Sequence, residues 1–125
     1  MKPISATPHG VLDYLVGFLL LVAPWLFGFS DIAPGATYTM VTLGIVVLGL
    51  SMVTDYPLGL IKAVPFPVHG VIETIGALFL LVSPWLVGFT EVDIARNLAI
   101  IAAIAYLAVV ALTNYSYYQT HRPVH

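Results

Sequence analysis

The sequence predicts an all-α fold: a polytopic membrane protein whose four transmembrane helices form two tandem, parallel two-helix repeats. Three observations carry this. The 125 residues are 60% hydrophobic and only 8% charged, against about 25% charged in soluble domains, so too little polar surface exists to face water on every side. Four apolar stretches of about 20 residues are separated by short breaks, and at 1.5 Å rise each gives the roughly 30 Å of a bilayer's hydrocarbon. They are apolar on nearly all faces, where a helix of a water-soluble bundle shows a polar stripe. Finally, residues 9–29, HGVLDYLVGFLLLVAPWLFGF, return as residues 69–89, HGVIETIGALFLLVSPWLVGF.

Residues 1–8 are a polar lead-in, and Pro8 suits a first helical turn, whose N–H groups lack partners anyway. Helix one is expected over about 9–29. Asp13 is its only formal charge, and Pro24 should kink it or loosen its last turn. The run lacks an A-x-A-like exit and recurs internally, which reads as a retained span rather than a cleaved signal. Residues 30–35, SDIAPG, form a turn. Helix two is expected over about 36–54 and ends at Thr54-Asp55-Tyr56-Pro57. Residues 58–68 are a connection with Lys62, Pro65 and Pro67, whose prolines bar a continuous helix. Helix three is expected over about 69–89, with Pro84 where helix one has Pro24, and TEVD at 90–93 is the second short turn. Helix four is expected over about 94–113. Its Ala95, Ala99 and Ala103 share a face and allow close packing. Gly28 and Gly88 read as helix-ending glycines. Tyr115, Tyr117 and Tyr118 fit an aromatic belt at the lipid–water boundary, while His121 and His125 lie in a polar tail with no assigned role.

Repeat one spans 9–56 and repeat two 69–115. His9/His69, Gly10/Gly70, Pro24/Pro84, Trp25/Trp85 and Gly28/Gly88 coincide, Asp13 faces Glu73, and Thr54-Asp55-Tyr56 matches Thr113-Asn114-Tyr115. Alignment of His, Gly, Pro and Trp together marks a duplication. Each unit has an even number of spans, so the second enters the membrane from the same side as the first and the repeats are parallel rather than inverted. His9, Asp13, His69 and Glu73 then share one membrane face, and the two Pro-Trp corners share the other. Lys2, Lys62 and Arg122 lie on the His side, with Arg96, Asp31, Glu91 and Asp93 opposite. The positive-inside rule places both termini and the His motifs in the cytoplasm.

Ala23-Pro24-Trp25 and Ser83-Pro84-Trp85, followed by Gly28-Phe29 and Gly88-Phe89 in spans opened by His-Gly, resemble the SPW repeat family of small bacterial integral membrane proteins. The first copy departs by carrying Ala23 where the second has Ser83. The resemblance covers nearly the whole chain. It implies a four-helix protein of tandem two-helix repeats in the bacterial cytoplasmic (inner) membrane, and it implies no particular activity.

Several function classes fall away. There are no cysteines, hence no disulfides, thiolate metal sites or Cys nucleophiles. The net charge is −2 with no long basic run, which gives no footprint for nucleic acid. No nucleophile stands with a base and no phosphate loop is present, so an independent enzyme is disfavoured. What remains is His9 with Asp13 and His69 with Glu73, each pair spaced i, i+4 on one helical face. Ionisable groups within a span are costly and point to function. One reading makes them helix-end anchors of a protein working through lipid, a homo-oligomer or another membrane protein, with the carboxylates favoured by the helix N-termini. A second makes the two imidazoles and two carboxylates a Zn, Fe or Mn site. A third is a bis-His haem or a quinone, with Gly10 and Gly70 letting a flat ring approach. A fourth is proton or ion handling, including an oligomeric pore, although no polar stripe continues a path along helices two or four.

Overall fold

A computed structural model describes residues 2–116. Four helices dominate it: α1 (Ala6–Leu26), α2 (Pro34–Met52), α3 (Phe66–Ser83), which runs on into a single π-turn (Pro84–Gly88), and α4 (Asp93–Leu112). Counting the π-turn with α3, they hold 21, 19, 23 and 20 residues, and all four are long and apolar enough to cross a bilayer. The protein is an all-α, multi-pass membrane protein.

α1 and α3 begin a turn earlier than the sequence suggested, at Ala6 and Phe66. Pro8 and Pro67 fall inside the first turns, where a missing N–H breaks no helical hydrogen bond. Pro67 therefore belongs to α3 and not to the connection, and each histidine sits fourth in its helix instead of first. At the other end the prolines loosen the last turns. The Pro24 carbonyl accepts from the N–H groups of Phe29 (2.8 Å) and Ser30 (3.0 Å), and that of Pro84 from Phe89 (2.8 Å). Gly28 (φ +75°) and Gly88 (φ +93°) then take the left-handed conformation that ends helices and that glycine adopts without a Cβ penalty. Trp25 and Trp85 are 62% and 63% exposed, as interfacial anchors must be.

α1 packs chiefly on α2 and α3 on α4, and α2 against α3 joins the two hairpins. In the first hairpin Gly17 meets Gly44 backbone to backbone: a Cβ on Gly44 would lie 2.8 Å from the Gly17 carbonyl oxygen and from the Leu21 nitrogen. In the second, Ala95, Ala99 and Ala103 are fully buried in a core with Leu20, Met40 and Leu80, so the alanine face of α4 is the packing face expected of it.

Two short pairings lace the His-side end. β1 (Thr54–Asp55) runs parallel to β2 (Val64–Pro65), Thr54 opposite Val64. Ile4 forms the matching parallel bridge to Thr113, with the Ile4 N–H donating to Leu112 O (3.0 Å) and the Asn114 N–H to Ile4 O (2.8 Å). The end of each hairpin is thus tied to the lead-in of the other.

Candidate metal centre

Starting α1 and α3 before the histidines carries His9, Asp13, His69 and Glu73 one to two turns inside the helix, and all four converge. Three are fully buried and Glu73 is 5% exposed. One ligand atom from each lies within 4.8 Å of every other. His9 Nε2 is 2.8 Å from Glu73 Oε1 and 3.3 Å from Asp13 Oδ1, while His69 Nε2 is 2.9 Å from Asp13 Oδ2 and 3.0 Å from Glu73 Oε2. Each imidazole therefore meets the carboxylate of its own helix and that of the other.

The orientation of both rings is fixed from outside. The Thr54 hydroxyl donates to Leu50 O and that of Thr113 to Val109 O, each at 2.6 Å. A hydroxyl has one hydrogen, so each threonine oxygen can only accept from the histidine it touches. His69 Nδ1–H donates to Thr54 Oγ1 (2.6 Å) and His9 Nδ1–H to Thr113 Oγ1 (2.8 Å). Both Nε2 atoms consequently face the carboxylates, as protonated donors or as bare lone pairs. The carboxylates are held in turn by phenols: Tyr56 OH donates to Asp13 Oδ2 (3.0 Å) and Tyr106 OH to Glu73 Oε2 (3.1 Å). Despite its short distances, His69 Nε2 has no acceptor in line, and Asp13 Oδ1 has no donor in line. Proximity without direction leaves two buried polar atoms aimed at the common centre and bonded to nothing there.

Burial, and next to it the Asp13 carboxylate, raise the Tyr56 phenol above its usual range, and burial with Glu73 and Asp13 does the same for Tyr115. Both stay neutral in the fold when the unfolded chain's tyrosines begin to ionise, near pH 10. The stability they contribute is complete below about pH 10 and is lost as pH rises beyond it. Melting temperature in detergent should fall between about pH 10 and pH 12, and should fall less steeply in Tyr56→Phe and in Tyr115→Phe.

The remaining sequence expectations sort plainly. The flat ring beside each glycine is a tyrosine of the chain itself. A Cβ on Gly10 would lie 3.1 Å from Tyr56 Cε2, and one on Gly70 would lie 2.5 Å from Tyr115 Cζ. The histidine rings touch edge to face with centroids 5.6 Å apart, and Phe66 and Tyr115 close on His9 at 5.2 and 5.6 Å, which leaves no slot for a macrocycle between them. Tyr115, expected in the interfacial belt, is instead turned inward onto Gly70 and the site. Tyr117, Tyr118, His121, Arg122 and His125 lie outside the described residues. Asp55, which shares this face of the membrane, is not among the clustered groups. Pro24, Trp25, Ser83, Pro84 and Trp85 stand at the opposite end of the bundle, where the buried Ser83 hydroxyl donates to Leu80 O at 2.7 Å. Thr54, Thr113, Tyr56 and Tyr106 were not singled out as site residues. The repeated Thr-x-Tyr at the two hairpin ends was the available signal for the threonines and Tyr56, and Tyr106 has no counterpart in the first repeat. Comparison with family models, curated proteins and solved structures finds no match for this chain.

Proposed function

We propose that the protein is a metal-binding protein of the bacterial cytoplasmic membrane, in which His9 Nε2, His69 Nε2, Asp13 and Glu73 bind one divalent transition ion. The observation that supports this most is the pair of threonine hydroxyls. By taking both Nδ1–H groups they leave both Nε2 atoms directed at two carboxylates in a buried cluster, the arrangement by which outer groups orient metal-binding histidines. Atoms this close can share an ion at the roughly 2.0–2.2 Å expected for nitrogen and oxygen ligands after shifts of a few tenths of an ångström. Two imidazoles, two carboxylates and no sulfur suit Zn²⁺, Fe²⁺ or Mn²⁺. The paired Pro-Trp corners support a place among SPW repeat proteins. Lys2 and Lys62 at the metal-site end, with Arg96 at the other, support a cytoplasmic position for that end. The apolar outer faces contact lipid.

A second reading has its own support. His9 Nε2 is hydrogen-bonded to Glu73 Oε1 at 2.8 Å and His69 Nε2 stands 2.9 Å from Asp13 Oδ2, both ion-pair distances between the two helices, so two imidazoliums and two carboxylates would lock α1 to α3 with no ion. Elemental analysis of protein purified without added metal, followed by titration with each of the three ions, separates the two. The metal reading expects one tightly held equivalent, with affinity about 10–100-fold lower in Thr54→Val and Thr113→Val. Protein that is metal-free and takes up none of the three leaves the ion-pair lock.

A further inference from the structure

An apolar cleft between the helices reaches Glu73 of the His/carboxylate cluster. Its volume is about 50 Å³, its walls include Val16, Leu20, Leu43, Val47 and Leu80, and it ends on Glu73 and Tyr106. Those two polar groups are already engaged, Tyr106 OH with Glu73 Oε2 and Glu73 Oε1 with His9. A buried water needs two to four polar partners, and cavities walled by aliphatic side chains stay dry and accept xenon or benzene. The volume is roughly a third of the ~150 Å³ that admits benzene, too small for an aromatic ring and sufficient for a single atom or a diatomic molecule. Val46 and Ile72 line the cleft and are also exposed on the outer surface, so its mouth opens to hydrocarbon, where apolar gases are more soluble than in water.

We infer that this cleft binds one small apolar gas molecule dissolved in the bilayer, dioxygen being the member with chemical consequence beside a transition ion. Its consequence, though not the binding itself, rests on the metal reading. Gly76 provides the test. It lines the cleft, and a Cβ there meets nothing nearer than Leu43 Cδ2 at 3.9 Å, so a larger side chain enters the space without disturbing the helix.

The experiment follows labelled Leu and Val methyls in lipid nanodiscs under xenon pressure, and then under dioxygen, whose paramagnetism speeds relaxation of nearby protons. Leu20, Leu43, Val47 and Leu80 should show a saturable response, while the exposed Leu15 and Leu78 respond linearly. The saturable part should weaken in Gly76→Ala and vanish in Gly76→Leu, and it should survive in Gly49→Leu, whose Cβ meets nothing within 4 Å. A uniform response across all methyls, its persistence in Gly76→Leu, or cross-relaxation from water to the cleft methyls overturns the inference. Both metal-depleted and as-purified samples are measured. Saturable gas binding in protein that never takes up metal upholds the cleft while removing the metal reading. Stoichiometric metal with no saturable response removes the cleft alone.

Discussion

If the cluster holds an ion as proposed, His69→Ala is expected to abolish metal binding and loosen the bundle together. His69 Nε2 reaches Asp13 and Glu73 at 2.9 and 3.0 Å, so its loss leaves two buried carboxylates facing each other with His9 as their sole cationic partner in the cluster. Breaking a buried charge pair costs about 3–5 kcal/mol, and metal content should drop to background because one of the two imidazole ligands is gone. His9→Ala should behave alike. Adding Asp13→Asn and Glu73→Gln to His69→Ala removes the unpaired charges, so part of the stability should return while the ion does not. Thermal unfolding in detergent, read beside elemental analysis, checks both arms. A chain that keeps its ion without His69 sinks the assignment of ligands.

Gly44→Leu should damage the fold more than any other substitution of a single membrane-facing or core glycine on α2. The three atoms nearest to a Cβ at 44 all belong to backbone: Gly17 O and Leu21 N at 2.8 Å and Leu21 Cα at 3.2 Å. No rotamer change relieves such a clash, so α1 and α2 must separate along their contact. Overpacking in a well-filled interior costs about 1–3 kcal/mol and at times more, and small residues are what allow helices in lipid to approach. Gly49→Leu on the same helix is the control, since its Cβ meets open space, and it should be neutral or stabilising by up to about 1 kcal/mol. Equal melting temperatures for Gly44→Leu and Gly49→Leu would contradict the packing described for the first hairpin.

The two substitutions also mark where the sequence was readable. The spans, the helix-ending glycines and the alanine face of α4 follow from local rules of length, φ preference and periodicity. That His9, Asp13, His69 and Glu73 share one end of the bundle followed from counting spans, because an even number per unit returns both motifs to one side; the contacts of His9 with Glu73 and of His69 with Asp13 did not follow from it. The threonine contacts did not follow. Thr113 meets His9 across 104 positions, and its role depends on an i−4 carbonyl taking its only proton, a detail of helix ends rather than of composition. The start of α3 was misplaced because Pro67 was read as part of the connection, although a first helical turn tolerates proline. Tyr106 was hidden for another reason. The phenol that serves Glu73 comes from α4, while Tyr115, the residue matching Tyr56, lies against Gly70, so the repeat pattern does not point to Tyr106.

The lacing of Ile4 to Thr113 beside that of Val64 to Thr54 makes the order of the two hairpins along the chain immaterial to the contacts they form. Each hairpin donates a threonine to the other's histidine and receives one back, so the assembly is a closed exchange between two half-sites. A circular permutation that joins the strand-paired ends and opens the connection at residues 58–62 would preserve each of these partnerships. By the same logic, the two hairpins supplied as separate chains already contain every element needed to enclose the four clustered side chains.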